Sequence, residues 1–184
     1  MPRLEPITTK AALSPEHQSV ADAVIEVFGH IRGPFSMLLH SPAIAQRLLP
    51  LVSFMRSGTT IEPNVRFAAI LTTAREHDAN YVWAAQVEQA QKNGIRKDLI
   101  DVIRAKGDPA TLPADERDVV NYVRQLIRTH RVDEATFAAI KNKYSAQWIV
   151  ELTATISFFG FIAGIANALE VEPPAGSDKF SAAA

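Results

Sequence analysis

The chain has 184 residues, which is enough for one domain with a substantial core. Hydrophobic residues make up 47% and charged residues 21%, as in ordinary soluble globular proteins, and a net charge of −1 with interspersed signs gives no nucleic-acid footprint. The absence of cysteine excludes disulfides, thiol catalysis and thiolate metal ligands, and it fits a cytoplasmic location. The N-terminal "MPRLEPITTK" lacks the apolar core of a signal peptide, so secretion is not expected.

Helix-start signals and helical periodicity run along almost the whole chain. Ser14-Pro15 and Ser41-Pro42 each place a capping side chain before a first-turn proline, and an apolar stripe follows both. The predicted helices begin, in chain order, near Ser14, Ser41, Pro63, Asn80, Arg96, Pro113, Asp133 and Ser145. Since no segment alternates with a period of two over strand length, the pattern predicts an all-α bundle of about eight helices in a single domain.

The two ends of the chain differ from the helical region, which is expected to span residues 14–172. Residues 1–13 are predicted as a separate N-terminal segment. Pro, Gly, Ser and Ala dominate "EPPAGSDKFSAAA" at the C-terminus, and this composition predicts a flexible tail over residues 173–184.

The last helix contains eighteen residues without a charge, "LTATISFFGFIAGIANAL" at 152–169, which meets the lower length limit for a membrane span. Thr153, Ser157 and Asn167 dilute its apolar character and no basic cluster flanks it, so a buried central helix is favoured over a membrane-associated protein. Gly160 and Gly164 form a small-residue face that is typical of close approach by another backbone. Self-association or membrane contact through this face is the alternative.

The stretch "EHDANYVWAAQ", residues 76–86, has the composition of an active-site helix start. Gln86 cannot act as a base near neutral pH, but its amide can donate hydrogen bonds to a substrate carboxylate or a developing enolate; a structurally satisfied glutamine is the alternative. Tyr81 can orient a carbonyl or serve in packing. Glu76 and His77 suggest a proton-transfer pair, yet adjacent helical positions point about 100° apart, so a solvated or helix-end histidine is favoured.

Four other side chains are candidates for the site. His40 precedes the Ser41 cap, where it either supplies the acid–base group or caps the neighbouring helix. Arg32 and Arg66 are the best cations for an anionic substrate, since guanidinium pairs bidentately with carboxylates. Trp83 is interpreted as a core or interface residue, with substrate contact as the alternative. No His-x-x-x-His motif, acidic cluster or Gly-rich phosphate loop occurs, so no metal, nucleotide or other cofactor is predicted.

Three stretches stand in a fixed order along the chain: "GPFSMLLHSP" (33–42), "NVRFAAILTTAREHDANYVWAAQVEQAQKNGI" (64–95) and residues 133–171. Together they resemble the carboxymuconolactone decarboxylase family, which also contains the AhpD-like alkylhydroperoxidases. The likeness spans roughly residues 14–172 in order and phase. It implies the family's all-α fold, called here the AhpD-like helical bundle, and assembly as a homotrimer or homohexamer.

The departures from the family pattern concern its reactive groups. AhpD-like members carry a Cys-x-x-Cys pair, a glutamate on the preceding helix and a histidine one turn onward. The corresponding positions here are Ala79, Val82, Phe67 and Gln86. Disulfide-based peroxidase chemistry needs a thiolate, so that activity is excluded. The decarboxylase branch has Tyr-Glu-Trp-x-x-His, of which Tyr81 and Trp83 remain.

Two functions are the main hypotheses. By resemblance, the chain is a cofactor-free lyase or isomerase that decarboxylates, or shifts a double bond in, a small unsaturated carboxylate or lactone of aromatic catabolism. Gln86 and Tyr81 would be the donors, and His40 or His77 the proton-transfer group. The predicted substrate-binding residues are Phe35, Arg32, Arg66, Trp83 and Phe67. The alternative is a catalytically inactive binding or oligomeric scaffold protein of the same fold, because three polar positions of the family are lost.

Overall fold

The computed structural model describes residues 1–180, which contain α-helices, short 3-10 segments and no β-strand. The α-helices of this part of the chain are α1 (Gln18–Phe28), α2 (Pro34–Leu38), α3 (Pro42–Ser57), α4 (Pro63–Glu76), α5 (Asn80–Lys92), α6 (Lys97–Arg104), α7 (Ala114–Thr129), α8 (Glu134–Lys141) and α9 (Ala146–Ala168). The 3-10 segments are Lys10–Ala12, Pro15–His17 and Pro109–Thr111. The predicted all-α fold is confirmed, and within residues 1–180 the short helix α2 is additional to the eight expected.

Proline at the first helical position opens α2, α3 and α4. Proline is tolerated there because a first-turn N–H has no acceptor within its own helix. An α-helix is predicted to begin near Ser14, but Pro15–His17 forms a 3-10 turn instead. The α-helix α1 begins after it, at Gln18. The predicted cap at Asp133 is present, since its carboxylate accepts a hydrogen bond from the Thr136 N–H.

Residues 1–180 divide into two compact units, and the first comprises Met1–Thr59 and Ile165–Glu172. In this unit α1 packs against α3. The N-terminal segment is hydrogen-bonded within the unit, with the Ile7 N–H 3.1 Å from the Ser36 carbonyl oxygen. Residues 1–13 therefore contribute to the structure of this unit, and the domain boundaries at 13 and 172 stay predictions.

The second unit comprises Thr60–Gly164 and the segment that begins at Pro173. Its central helix is α4, which packs against α5, α6 and α7. The buried residues of α4 are Val65, Phe67, Ala68, Ala69, Ile70, Leu71, Thr72, Thr73 and Ala74. From Phe67 to Ala74 the helix is buried on all sides, and its small side chains let neighbouring helices approach closely. The chain turns directly from the end of α4 into α5.

Within residues 1–180, α9 is the helix that is long and apolar enough to cross a membrane, and 50% of its most apolar eighteen-residue window is buried. The core helix of a soluble protein meets the same length and composition criteria, so one such helix is weak evidence for a membrane span. The expectation for its glycines needs correction. A Cβ at Gly160 would lie 3.2 Å from the His77 Nε2, and a Cβ at Gly164 would meet nothing within 4 Å. The neighbour of Gly160 is therefore an imidazole ring.

Candidate functional site

The candidate site starts at the tight connection between α4 and α5. His77 follows the last residue of α4, Asp78 has a positive φ of 49°, and the Ala79 N–H donates to the Ala74 carbonyl at 2.9 Å. Aspartate tolerates this left-handed conformation better than most side chains. The chain therefore reverses within three residues, and Tyr81 lies in the first turn of α5.

The His77 imidazole lies against Gly160 of α9, where the absence of a side chain makes room for the ring. Burial lowers the pKa of His77 below its ordinary 6.5, and the carboxylates of Glu76 and Asp78 oppose this shift. The residue nevertheless keeps a solvent-exposed surface. The imidazole is therefore mostly neutral at pH 7 and can accept a proton from a molecule that arrives from solvent.

The Glu76 carboxylate is directed to α7. Arg128 binds it through Nε and Nη2 with hydrogen bonds of 2.7 Å each, and the Nε of Arg124 lies 3.5 Å from it. The Glu76 side chain is 4% exposed, while that of Arg128 is half-exposed; these three residues are called here the Glu76 cluster. The carboxylate is engaged by two guanidinium groups, which agrees with the expectation that Glu76 and His77 are not a proton-transfer pair.

Arg124 is only partly paired within the Glu76 cluster. Its Nη1 donates to the Gly107 carbonyl at 2.7 Å, while its Nη2 is buried and has no hydrogen-bond partner within residues 1–180. Burial lowers the pKa of this guanidinium. A groove of about 360 Å³ beside it is lined by Asn121, Arg124, Gln125, Arg128, Thr129 and Thr136. None of the site residues predicted from the sequence lies in this groove.

Two of the predicted donors, Tyr81 and Gln86, are half-buried on α5. The Gln86 amide forms no hydrogen bond with another side chain or backbone group of residues 1–180, so its donors are open to a ligand. Two positions that are polar in the resembled family are apolar here: Phe67 is 5% exposed and Val82 is 2% exposed. Both side chains belong to the core and bring no polar group to the site.

Arg66 is half-buried on α4, with its guanidinium carbon 5.9 Å from the centre of the Phe67 ring. It forms no ion pair with a carboxylate of the described residues, and burial lowers its pKa without a charged neighbour to oppose the shift. An arginine remains charged at neutral pH even when its pKa is lowered somewhat. This half-buried cation is therefore open to an anionic ligand.

Trp83 is fully buried, and the C-terminal segment forms part of its surroundings. Its Nε1–H donates to the Asp178 carboxylate at 3.1 Å, and Arg104 binds the same carboxylate through both Nη groups. The Phe180 ring meets the indole edge-on, with ring centres 5.6 Å apart. The Arg75 guanidinium carbon lies 4.5 Å from the centre of the Phe180 ring. We call this arrangement the C-terminal clamp.

The C-terminal clamp changes the interpretation of the tail. Composition predicts flexibility from residue 173 onward, whereas Asp178 and Phe180 anchor the described part of this segment to α5 and α6. The reason is that one acid and one aromatic residue, among small and polar neighbours, find complementary partners on the helices. The remainder of the predicted tail, residues 181–184, lies outside the described residues.

Three predicted site residues belong to the first unit. Arg32 is exposed, and Phe35 is buried with its ring centre 4.8 Å from that of Phe28. His40 is exposed, and its Nε2 lies 2.9 Å from the Glu5 carbonyl oxygen. Since a carbonyl oxygen only accepts, Nε2 carries the proton and donates it in this bond. His40 thus has a backbone partner, which favours an anchoring role over acid–base chemistry.

The other predicted residues share the hairpin of α4 and α5 in the second unit. Arg66 and Phe67 lie on α4, His77 follows it, and Tyr81, Trp83 and Gln86 lie on α5. Within residues 1–180, no group of three or more His, Asp and Glu side chains is arranged to hold a metal ion. Among the predicted residues of this hairpin, the polar side chains that form no hydrogen bond or ion pair within residues 1–180 are thus the guanidinium of Arg66 and the carboxamide of Gln86.

Solved structures of similar fold come from AhpD-like and peroxidase-related proteins. A peroxidase-related protein with an alkylhydroperoxidase AhpD core, from Ralstonia eutropha JMP134, superimposes with a TM-score of 0.75 at 18% identity, over 94% of this chain and 95% of its own. A putative antioxidant defence protein AhpD from Agrobacterium tumefaciens gives 0.66 at 16% identity, over 78% and 99%. The debrominase Bmp8 in complex with 2,3,4-tribromopyrrole gives 0.73 at 16% identity, over 95% of each chain. The chain has the AhpD-like fold.

The sequence comparisons are negative: no family model and no curated protein matches the chain. At identities this low, structural likeness establishes the fold and leaves the reaction open, because one fold hosts many functions. The correspondence of positions 67, 79, 82 and 86 to the reactive groups of AhpD-like proteins therefore stays a hypothesis.

Proposed function

We propose that the chain is a cofactor-free, non-thiol enzyme of the cytoplasm that acts on a small unsaturated carboxylate or lactone. The reaction is a decarboxylation or a double-bond shift through an enolate. Such an intermediate needs one proton-transfer group, hydrogen-bond donors at its oxygen and a cation for a carboxylate. The observation that carries the proposal is the partly exposed imidazole of His77, whose pKa is lowered by burial and which lies in the turn before the helix that holds Tyr81 and Gln86.

His77 is the proton carrier in this mechanism. For a double-bond shift, the neutral imidazole removes a proton from the carbon next to the carbonyl group, and the electron pair moves onto the oxygen. The imidazolium then returns the same proton to the far carbon of the dienolate, so that the enzyme ends unchanged. Burial that keeps His77 neutral makes it a base near pH 7.

The remaining roles belong to other polar side chains of α4 and α5. The Gln86 amide and the Tyr81 hydroxyl would donate hydrogen bonds to the enolate oxygen. Arg66 would bind a carboxylate farther along α4, eleven residues or about 16 Å from His77, since its guanidinium is half-buried and forms no ion pair within residues 1–180.

Replacement of His77 tests the proposal most directly. We expect His77→Gln to lower turnover of a muconolactone and dienoate panel at least about 100-fold, because loss of a general base typically costs this much. His30→Gln, at an exposed histidine of the first unit, is the matched control and should retain full activity. In the wild type, activity should fall on acidification with an apparent pKa below 6.5, since the pKa of His77 is lowered. Equal activity of the two variants would remove His77 from the mechanism.

The two glycines of α9 provide a finer test. In Gly160→Ala the new Cβ lies 3.2 Å from the His77 Nε2 and displaces the ring, whereas in Gly164→Ala the new Cβ meets nothing within 4 Å. Both substitutions raise helix propensity equally. We therefore expect kcat to fall about tenfold in Gly160→Ala only, which is the loss typical of a catalytic group displaced by a fraction of an ångström.

A second candidate function is a small-molecule-binding or scaffold protein without catalysis. The burial of apolar side chains at positions 67 and 82 favours it, because these positions carry polar groups in the resembled family. Under this function a dienoate or muconolactone would bind with an affinity that depends on Arg66, and no product would appear in a day-long assay followed by chromatography. Product that forms in the wild type and not in His77→Gln would favour the enzyme over the non-catalytic binding protein.

We also propose that the chain forms a homo-oligomer, a trimer or a hexamer, through α9. Val150 is 67% exposed and Phe161 is 42% exposed, and their spacing of eleven residues places both on the same side of this helix. Large exposed apolar side chains that share a helix face are typical of association surfaces. Light scattering after size exclusion should give three or six subunits for the wild type and fewer for Phe161→Glu. A monomeric wild type would contradict this proposal.

A further inference from the structure

The C-terminal clamp has the composition of a ligand-binding site that is filled by the chain itself. The Asp178 carboxylate receives hydrogen bonds from both Nη groups of Arg104 and from the Trp83 indole N–H. Beside it, the centre of the Phe180 ring lies 5.6 Å from that of the Trp83 indole and 4.5 Å from the guanidinium carbon of Arg75. A bound carboxylate and a bound aromatic ring thus lie next to each other.

The protein side of this arrangement selects for both groups. Two parallel hydrogen bonds from one guanidinium fit a carboxylate in geometry as well as in charge. The neighbouring Asp101 lies 3.9 Å from the Arg104 Nε and leaves the Nη groups to Asp178. An indole edge and a guanidinium above a ring are the partners that an aromatic group prefers. The matching ligand is a small aromatic carboxylate.

The segment that fills the site is held in a way that permits exchange. Residues 173–180 contain no helix or strand, and Pro174–Gly176 are exposed. Gly176 adopts a positive φ of 78° in the turn that leads to Asp178. The Arg104 and Asp178 side chains are 31% and 29% exposed, so water reaches the ion pair. One further bond, from the Phe180 N–H to the Asn80 Oδ1 at 3.2 Å, completes the attachment at Phe180.

We propose that the surface formed by Arg75, Trp83 and Arg104 is a binding site for a small aromatic carboxylate. Asp178 and Phe180 occupy it as an intramolecular ligand when no such molecule is present. The tethered tail competes for the site at an effective concentration of the order of millimolar. An external ligand therefore binds only at a higher concentration, or when the attachment of the tail is weakened by mutation. The site is independent of the catalytic roles proposed for His77, Gln86 and Arg66.

Calorimetric titration with 3-phenylpropionate tests this site. The full-length double variant with Asp178→Ala and Phe180→Ala should bind the probe at least tenfold more tightly than the wild type, because the competitor is removed. Adding Arg104→Gln should abolish this gain, and the uncharged analogue 3-phenylpropanamide should not bind. Lys179→Ala, at the exposed residue between the two anchors, is the matched control and should behave as the wild type.

A second measurement covers the case in which the double variant fails to fold. In the wild type, excess 3-phenylpropionate should shift the NMR signal of the Trp83 indole N–H, which loses its Asp178 partner, while the signal of Trp148 stays fixed. Trp148 is a suitable reference because its Nε1 donates to Glu62, outside the clamp. A folded double variant that binds no probe, or binding that survives Arg104→Gln, overturns the proposal. So does a wild-type Trp83 signal that never moves.

Discussion

The Glu76 cluster and the C-terminal clamp both contain an ion pair between arginine and a carboxylate, but the two carboxylates differ in solvent exposure. The Glu76 side chain is 4% exposed and serves two arginines of α7, whereas Asp178 is 29% exposed and is bound by one arginine and one indole. A buried charge without its partner is costly, while water can replace the partner of an exposed one. The comparison therefore separates a group that stabilises the fold from one that can be exchanged for a ligand.

The largest expected effect is that of Glu76→Gln, which removes the only negative charge of its cluster. We expect the free energy of unfolding to fall by about 3 kcal/mol, at the low end for a broken buried ion pair because Arg128 is half-exposed. Urea denaturation with an unchanged m-value would measure this loss. Glu88→Gln is the control, since its partner Lys92 is exposed, and it should leave the midpoint unaltered. Similar midpoints for both variants would mean that burial does not distinguish the two regions.

Phe180→Ala should have an intermediate effect on stability, about 2 kcal/mol, because a nearly buried phenyl ring is removed from the edge of Trp83. The same urea denaturation measures it. The Trp83 emission should also shift to longer wavelength as water reaches the indole. An unchanged emission spectrum and midpoint would show that the ring contributes nothing to the clamp, and the comparison would then rest on the ion pair alone.

The smallest expected effect is that of Asp178→Asn, about 1 kcal/mol near neutral pH, since the ion pair is partly open to water. The hydrogen bonds from Arg104 and Trp83 hold the pKa of Asp178 below its ordinary 3.8. A carboxylate with a lowered pKa stabilises the fold fully above the unfolded-state value and loses this contribution as pH falls through the folded-state value. The stability difference between wild type and variant should therefore stay constant near neutrality and shrink below about pH 3.8. A difference that grows on acidification would contradict the assignment.

Local sequence signals accounted for the helices. Signals such as a first-turn proline and the Asp133 cap act over a few residues, and the eight expected helix starts lie close to the observed ones. The short helix α2 was not anticipated, because five residues are too few for a periodic pattern. The Ser14 signal produced a 3-10 turn, since capping residues favour a first turn without fixing its type.

The candidate site was only partly accessible from the sequence. The stretch 76–86 drew attention to His77, but its contact with Gly160 joins residues far apart in the chain and depends on the packing of α9. The resemblance to the carboxymuconolactone decarboxylase family suggested Gln86 and Tyr81, and the structure leaves the roles of both as predictions. Nothing in the local pattern indicated that Arg104 and Trp83 would hold Asp178, because composition alone makes the tail look solvated.

The all-helical fold and the absence of thiol chemistry follow from residue types and from interactions within a few positions of the chain. Which charged side chains meet depends on how the helices pack. Glu76 finds its arginines 48 and 52 residues away, and Asp178 finds Trp83 95 residues away. Hydrophobic burial positions the helices through many weak, non-directional contacts, and the polar partners follow from that arrangement. The pairs that distinguish a stabilising cluster from an exchangeable clamp are therefore properties of the packed fold.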